Sequence, residues 1–195
     1  MFHRLKHRSV VSLFLISLLF TACGGGVSPE TPGRADSSER VAQETESSAA
    51  GGGTELRLLS TTDRLGVQQD GYVEIRLDHA INLYGLHVCL QFDPTKLRVK
   101  DADPAQEGIQ IAPGDLPVPD FAARNLVDNE RGTIDYAVVQ LSPRLPATRS
   151  GVVATVQFQG VSPGVSPISF LRAELADPDG DELPVHIRDA ELEVN

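Results

Sequence analysis

A serine flanked by glycines is the first candidate for chemistry in this sequence. Residues 160–164, Gly-Val-Ser-Pro-Gly, match the Gly-x-Ser-x-Gly pattern of serine hydrolases. A nucleophile of that kind requires a sharp turn from a strand into a helix. Here Pro163 and Pro167 flank a segment that continues with strand-forming residues, and no oxyanion motif or ordered acid and histidine follow. The pattern therefore predicts a simple turn at Ser162, and an enzyme is the least favoured function.

A second cluster of chemical interest is formed by carboxylates around a glycine. Residues 177–182 read Asp-Pro-Asp-Gly-Asp-Glu, a composition that calcium loops share. The segment lacks the twelve-residue spacing and flanking helices of an EF-hand. We therefore predict a tight hairpin turn over Asp177–Gly180, with calcium binding by Asp177–Glu182 as the alternative.

The cysteines and histidines show no spacing typical of a metal site. Cys23 ends an apolar leader and Cys89 lies inside a predicted strand, so we do not expect a disulfide between them. No Cys-x-x-Cys or paired Cys/His spacing is present. His79, His87 and His186 stand singly, which is typical of packed or solvated histidines. We predict no metal and no cofactor.

The charge of the chain argues against nucleic acid as a partner. The 195 residues include 17 basic and 27 acidic side chains, for a net charge of −10. Arg4, Lys6 and Arg8 are the basic residues before Cys23, and without them the net charge becomes −13. Such a surface repels nucleic acid and is not attracted to an anionic membrane.

The first residues have the pattern of a leader for export. Residues 3–8 are all basic except Leu5. Val10 to Phe20 is an apolar run, interrupted only by Ser12 and Ser17, that is too short to span a bilayer as a helix. The run ends in Leu-Phe-Thr-Ala-Cys-Gly over 19–24, which resembles a bacterial lipobox. We predict a lipoprotein signal peptide over 1–22, lipidation of Cys23, and a location at the outer membrane or cell surface. A plain secretory signal is the alternative.

A flexible linker is expected between the anchor and the domain. Residues 23–53 are rich in Gly, Ser, Glu, Thr, Ala and Pro and carry almost no large apolar side chain. Such a segment cannot bury enough surface to offset its ordering entropy. About thirty flexible residues span roughly 30 Å, so the linker would hold a domain away from the membrane.

Residues 54–195 have the pattern of an all-β domain organised around one strand. Leu86, Val88, Leu90 and Phe92 recur with a period of two, which places one face of a strand in a core. Gly85 indicates a bulge or a close backbone approach, and Asp93-Pro94 ends the strand. Further strands are predicted near residues 56–60, 72–77, 97–100, 133–141, 151–158, 168–175, 185–187 and 190–194. Residues 101–120 are expected to be mostly loop, with a short strand over 108–111 as an option, and the pattern over 121–127 is ambiguous between strand and loop.

The order and spacing of these motifs resemble the cohesin-like domains of bacterial extracellular proteins. The match includes Gly85, Leu90-x-Phe92-Asp93-Pro94 and Leu97, and it continues through Gly132, Tyr136, Gly151, Phe158 and Gly180. The resemblance implies a nine-stranded jelly-roll β-sandwich without catalytic activity. The best-known members of that family bind dockerins, which are small calcium-loaded helical modules, through one flat sheet face.

The outward face of the central strand is the predicted partner site. Its non-core side chains are His87, Cys89 and Gln91, and the strand over 133–141 would present Asp135, Ala137 and Val139. If both strands lie in one sheet, they form a mixed, weakly apolar patch suited to a protein partner. We predict contacts by His87, Gln91, Asp135 and Val139; the alternative is that loops or the second sheet cover them.

Two other functions remain open from the sequence. A module that binds polysaccharide would need flat aromatic platforms, and the chain has no Trp. Its only tyrosines are Tyr72, Tyr84 and Tyr136, of which Tyr136 is in phase with the core. A purely structural subunit of the envelope is the third possibility.

Overall fold

The computed structural model describes residues 53–62 and 64–195, which fold into two β-sheets. The predicted signal peptide over 1–22, the lipidation site Cys23 and the linker up to residue 52 lie outside the described residues. Within the described part there is no helix that is long and apolar enough to cross a membrane.

Thirteen strands are present in residues 53–62 and 64–195, where the resemblance implied nine. Three strands that the sequence did not predict, over 64–65, 112–113 and 182–183, are pairings of only two residues, which are too short to show a period. The strands are β1 (Glu55–Ser60), β2 (Arg64–Leu65), β3 (Asp70–Asp78), β4 (Gly85–Gln91), β5 (Leu97–Val99), β6 (Ala112–Pro113), β7 (Phe121–Asp128), β8 (Thr133–Val139), β9 (Gly151–Gly160), β10 (Gly164–Ala176), β11 (Glu182–Leu183), β12 (His186–Arg188) and β13 (Ala190–Val194).

The two sheets face each other as a sandwich, as the resemblance implied. The front sheet has the order β2-β13-β10-β4-β8-β7, with β11 added to β10. The rear sheet has the order β12-β1-β3-β9-β5, with β6 added to β9. All pairings are antiparallel except β1 with β12 and β13 with β2. The predicted central strand is therefore β4, between β10 and β8.

The core lies between the sheets and is built by the period-two faces of the longer strands. On β4, Leu86, Val88 and Leu90 are all buried, as the alternation predicted. Phe92, just after β4, packs edge-to-face on Phe158 of β9 with ring centroids 5.3 Å apart. The other fully buried side chains include Leu56, Ile75, Leu77, Leu97, Ile134, Tyr136 and Ile168.

Both predicted turns are present. β9 and β10 are joined by residues 161–163, and the Ser162 hydroxyl donates to the Thr95 carbonyl 2.6 Å away. Residues 177–181 join β10 to β11, and Asp177 Oδ1 accepts from the amides of Asp179 and Asp181. The Gly-x-Ser-x-Gly motif therefore forms a turn that carries the chain from the rear sheet to the front sheet, and a strand, not a helix, follows it.

Residues 101–111 form the loop that was expected, and the optional strand over 108–111 is absent. Those residues form no strand, and pairing with β9 begins one residue later, at Ala112. The Asn125 side chain instead accepts from the Ile111 amide at 2.9 Å and donates to the Ile111 carbonyl at 2.8 Å. A side-chain amide thus satisfies the backbone groups that a strand partner would have satisfied.

Gly85 shows a close approach and no bulge. It pairs with both Val139 and Ala176 at the start of β4, and a Cβ there would lie 3.3 Å from Val139 Cγ2. The bulges of the front sheet occur elsewhere, at Ala123 of β7 and Leu171 of β10.

Replacing Gly132 should destabilise the domain strongly. Gly132 has a φ of 69°, and an added Cβ would lie 2.2 Å from the Phe92 carbonyl oxygen, so the backbone must shift. Gly180 is the matched control, because its φ is 86° but nothing lies within 4 Å of its Cβ position. Gly180→Ala should lower the free energy of unfolding only by the penalty for an L-residue in the left-handed conformation, about 1–2 kcal/mol. Urea unfolding should show a larger loss for Gly132→Ala; equal losses would contradict the close contact.

Candidate functional site

The exposed side of β7, β8, β4 and β10 forms one continuous surface, here called the front face. Four strands each contribute alternate residues, and the pairing register aligns them in rows across the sheet. The rows are Phe121–Val139–Gly85–Ala176, Arg124–Ala137–His87–Glu174, Leu126–Asp135–Cys89–Arg172 and Asp128–Thr133–Gln91–Ser169.

The prediction that the central strand and the strand over 133–141 share one sheet is confirmed, because β4 pairs with β8. His87 lies opposite Ala137, and Cys89 lies opposite Asp135. Gln91 is exposed, while the side chains of His87 and Asp135 retain 25% and 31% of their accessible surface. The alternative that loops or the second sheet cover these residues is therefore wrong for the described part of the chain.

Three side chains of the front face converge on one point. His87 Nε2 lies 2.7 Å from Asp135 Oδ1, at hydrogen-bond distance. Cys89 Sγ lies 3.5 Å from His87 Nε2 and 3.7 Å from Asp135 Oδ1. Burial and the neighbouring Asp135 carboxylate raise the pKa of the Cys89 thiol, so the thiol is neutral at pH 7. We call His87, Cys89 and Asp135 the front-face cluster.

Neighbouring charges hold the front-face cluster in place. Arg124 Nη1 donates to Asp135 Oδ2 at 3.1 Å, so the two carboxylate oxygens have different partners. On the other side, Glu174 Oε2 lies 3.7 Å from His87 Nδ1. Arg172 in turn lies 3.6 Å from Glu174.

Sequence reasoning predicted His87 and Asp135 but missed their convergence with Cys89. The two-residue spacing of His87 and Cys89 put them on one strand face, which was the available signal. The position of Asp135 opposite Cys89 depends on the register between β4 and β8, and that register is not visible in the sequence. Arg124 and Glu174 were missed because the bulges shift the phase of β7 and β10.

A shallow apolar groove occupies the other end of the front face. It has a volume of about 420 Å³, and small residues, among them Gly85, Ala137 and Ala176, line it together with Val139. Val139, predicted to contact a partner, therefore lies at the groove, whose lining also includes His87 of the front-face cluster. Gln91, the fourth predicted contact, lies in the row beyond Cys89, between Thr133 and Ser169.

Large apolar side chains project from the edges of the front face. Phe121 and Leu126 on β7 are 55% and 54% exposed, and Leu171 at the β10 bulge is 61% exposed. Groups of exposed apolar residues on a flat sheet with a mixed-charge surround are typical of protein contacts.

The tyrosines are distributed in a way that limits sugar stacking. Tyr136 is fully buried, and desolvation raises its pKa to about 12. Tyr84 is half-buried beside the start of β4. Tyr72 is 46% exposed, but it lies on the rear sheet, opposite Gln157.

Solved structures with the same architecture are cohesin domains. A type II cohesin domain from the cellulosome of Acetivibrio cellulolyticus superposes with a TM-score of 0.62 and 18% identity, over 72% of this chain and 95% of that one. A non-cellulosomal cohesin from the archaeon Archaeoglobus fulgidus gives 0.57 and 14%, over 74% and 92%. A type I cohesin–dockerin complex from Clostridium thermocellum gives 0.59 and 17%, over 74% and 100%.

These likenesses define the class of domain. The described part of the chain is a β-sandwich with the cohesin fold, as the motifs around Gly85 and Asp93-Pro94 predicted. No family model and no curated protein sequence matches the chain.

Removing predicted contacts from the front face should leave the fold intact. His87→Ala and Gln91→Ala should each lower the free energy of unfolding by less than about 1 kcal/mol, because partly exposed polar pairs contribute little. Leu90→Ala, on the opposite face of the same strand, is the control and should cost about 2–5 kcal/mol. Thermal unfolding measures both; a drop for His87→Ala as large as for Leu90→Ala would mean that the front face is a buried surface.

Proposed function

We propose that this domain is a non-catalytic docking module that binds a protein partner on its front face. The observation that carries the proposal is the flat, exposed four-strand surface with an apolar groove and projecting Phe121, Leu126 and Leu171. The cohesin fold supports it, since one matching structure is described as a cohesin–dockerin complex. A dockerin-type helical module is the partner class that this likeness favours.

The size of the front face fits a protein partner. Strands about 4.8 Å apart and alternate residues about 7 Å apart give the four rows a flat area of roughly 500 Å². A standard interface buries about 800 Å² on each partner, so this surface with its edge residues is of the right order. Its charges are of both signs, with Arg124 and Arg172 beside Asp135, Glu174 and Asp128. Such a pattern sets orientation and specificity more than affinity.

The second part of the proposal concerns the predicted lipid anchor at Cys23 and the location that it gives the domain. A lipidated Cys23 with two or more acyl chains would hold the chain at the envelope, because each buried methylene contributes about 0.8 kcal/mol. The linker would then let the domain reach a partner at some distance from the membrane. We accordingly propose an extracytoplasmic role, with the lipobox at residues 19–24 as its support.

Docking can be tested with substitutions on opposite sheets. The full chain is used to capture envelope proteins from the source cells with calcium or with EGTA, and the partner identified is then titrated directly. Leu126→Asp should weaken its binding about thirtyfold or more, as expected for an interface hot spot of about 2 kcal/mol. Leu59→Asp, on the rear sheet and 40% exposed, is the matched control and should bind normally.

The outcomes of that titration separate the parts of the proposal. Equal affinity of both variants would place binding away from the front face and contradict it. Loss of the complex in EGTA would support a calcium-loaded, dockerin-type partner. A complex that depends on Leu126 but persists in EGTA would support docking and exclude a calcium-dependent module.

Polysaccharide binding is the second candidate, and the rear sheet favours it. Tyr72 presents an exposed ring beside Gln157 and Gln159, whose side-chain amides donate to Asp70. One aromatic ring with neighbouring amides is a minimal sugar platform.

A glycan array with Tyr72→Ala tests this second candidate. If the rear sheet binds sugar, a glycan retained by the unmodified chain should be lost in Tyr72→Ala and kept in Leu126→Asp. Absence of glycan binding by the unmodified chain would eliminate it.

A further inference from the structure

We propose that His87, Cys89 and Asp135 bind a divalent transition-metal ion of the zinc type on the front face. In residues 53–62 and 64–195 this is the one group of three such side chains whose ligand atoms all lie within 4.8 Å of one another. The inference concerns the cluster alone and does not depend on the docking function.

The distances fit a tetrahedral ion closely at two of three edges. With zinc–ligand bonds of about 2.0–2.3 Å, the ligand atoms of a tetrahedron are about 3.4–3.6 Å apart. The Cys89 Sγ distances of 3.5 Å to His87 Nε2 and 3.7 Å to Asp135 Oδ1 already match. The His87–Asp135 pair, at 2.7 Å, has a hydrogen bond that must open by about 0.7 Å. Both side chains are partly exposed, so a small rotation suffices.

The donor set selects the class of metal. One sulfur, one imidazole nitrogen and one carboxylate oxygen suit zinc and its neighbours in the first transition row, whereas calcium and magnesium prefer oxygen ligands. Three protein ligands leave a fourth tetrahedral position. Because the cluster lies on the outward side of the sheet, a water molecule would complete the coordination in the isolated protein.

The surrounding residues are arranged as outer partners of such a site. Arg124 binds Asp135 Oδ2 and so leaves Oδ1 available to the ion. Without metal, His87 Nε2 donates to Asp135 Oδ1, so binding of the ion at Nε2 requires that proton to move to Nδ1. Glu174 Oε2 lies 3.7 Å from Nδ1, where its negative charge would favour the moved proton. Carboxylates in this position commonly orient metal-binding histidines.

The charges of the site balance when the ion binds. The Cys89 thiol releases its proton to solvent and coordinates as thiolate, and Asp135 coordinates as carboxylate. The thiolate and the carboxylate together neutralise the two positive charges of the ion. This offsets the repulsion from Arg124 and Arg172, which flank the cluster.

Metal titration of the purified, reduced full chain tests the proposal. Zinc added against a chromophoric chelator should show one equivalent bound, and cobalt should give the intense visible spectrum of a tetrahedral site with a sulfur-to-cobalt charge-transfer band. Cys89→Ser should abolish that band, and Asp135→Asn should weaken zinc binding at least about tenfold. Cys23→Ser and His186→Ala are matched controls with the same residue types, and both should bind as the unmodified chain does.

A stability measurement shows whether the variants remain folded. Without metal, Cys89→Ser and Asp135→Asn should melt within a few degrees of the unmodified chain. Added zinc should raise the melting temperature of the unmodified chain and leave that of Cys89→Ser unchanged. Absence of zinc binding by the unmodified chain would overturn the proposal. Zinc binding that Cys89→Ser and Asp135→Asn both retain at full affinity would overturn it as well.

Discussion

The two-residue period of β4 is the constraint on which both the core and the front face depend. Successive side chains of a strand point to opposite sides, so burying Leu86, Val88 and Leu90 forces His87, Cys89 and Gln91 outward. The outward residues cannot be turned inward without exposing the core set, because a one-residue slip would exchange the two faces completely. The folding energy of the sandwich therefore fixes the positions of side chains that contribute little to it.

Register then determines what those outward side chains meet. β4 and β8 are separated in sequence by β5, β6 and β7, yet Cys89 is paired with Asp135. The pairing is supported on the core side by Leu90 against Ile134 and Val88 against Tyr136. A long-range hydrophobic match thus aligns three polar atoms within hydrogen-bonding and metal-binding distance of one another. Neither strand by itself contains that information.

The parts of the fold that were predictable from sequence are those with strong local patterns. The alternation around Val88 and Val156 located two central strands, and Asp93-Pro94 and Asp177–Gly180 marked turns, because each pattern acts within a few residues. Short pairings such as β2 and β6 have no such pattern, since two residues do not define a period. The 121–127 segment was ambiguous because the bulge at Ala123 changes which residues face outward.

The residues of the candidate site could be predicted from local strand patterns, but their grouping could not. His87 and Gln91 follow from the phase of one strand, and Asp135 and Val139 from the phase of another. The structure groups these four residues differently: His87 and Asp135 join Cys89, Val139 lines the groove together with His87, and Gln91 stands apart in the last row. Since the cluster and the groove share one face, the proposed metal and partner would act on the same surface. Any effect of the ion on partner affinity would be matched by an equal effect of the partner on metal affinity, because the coupling free energy between two binding sites is reciprocal.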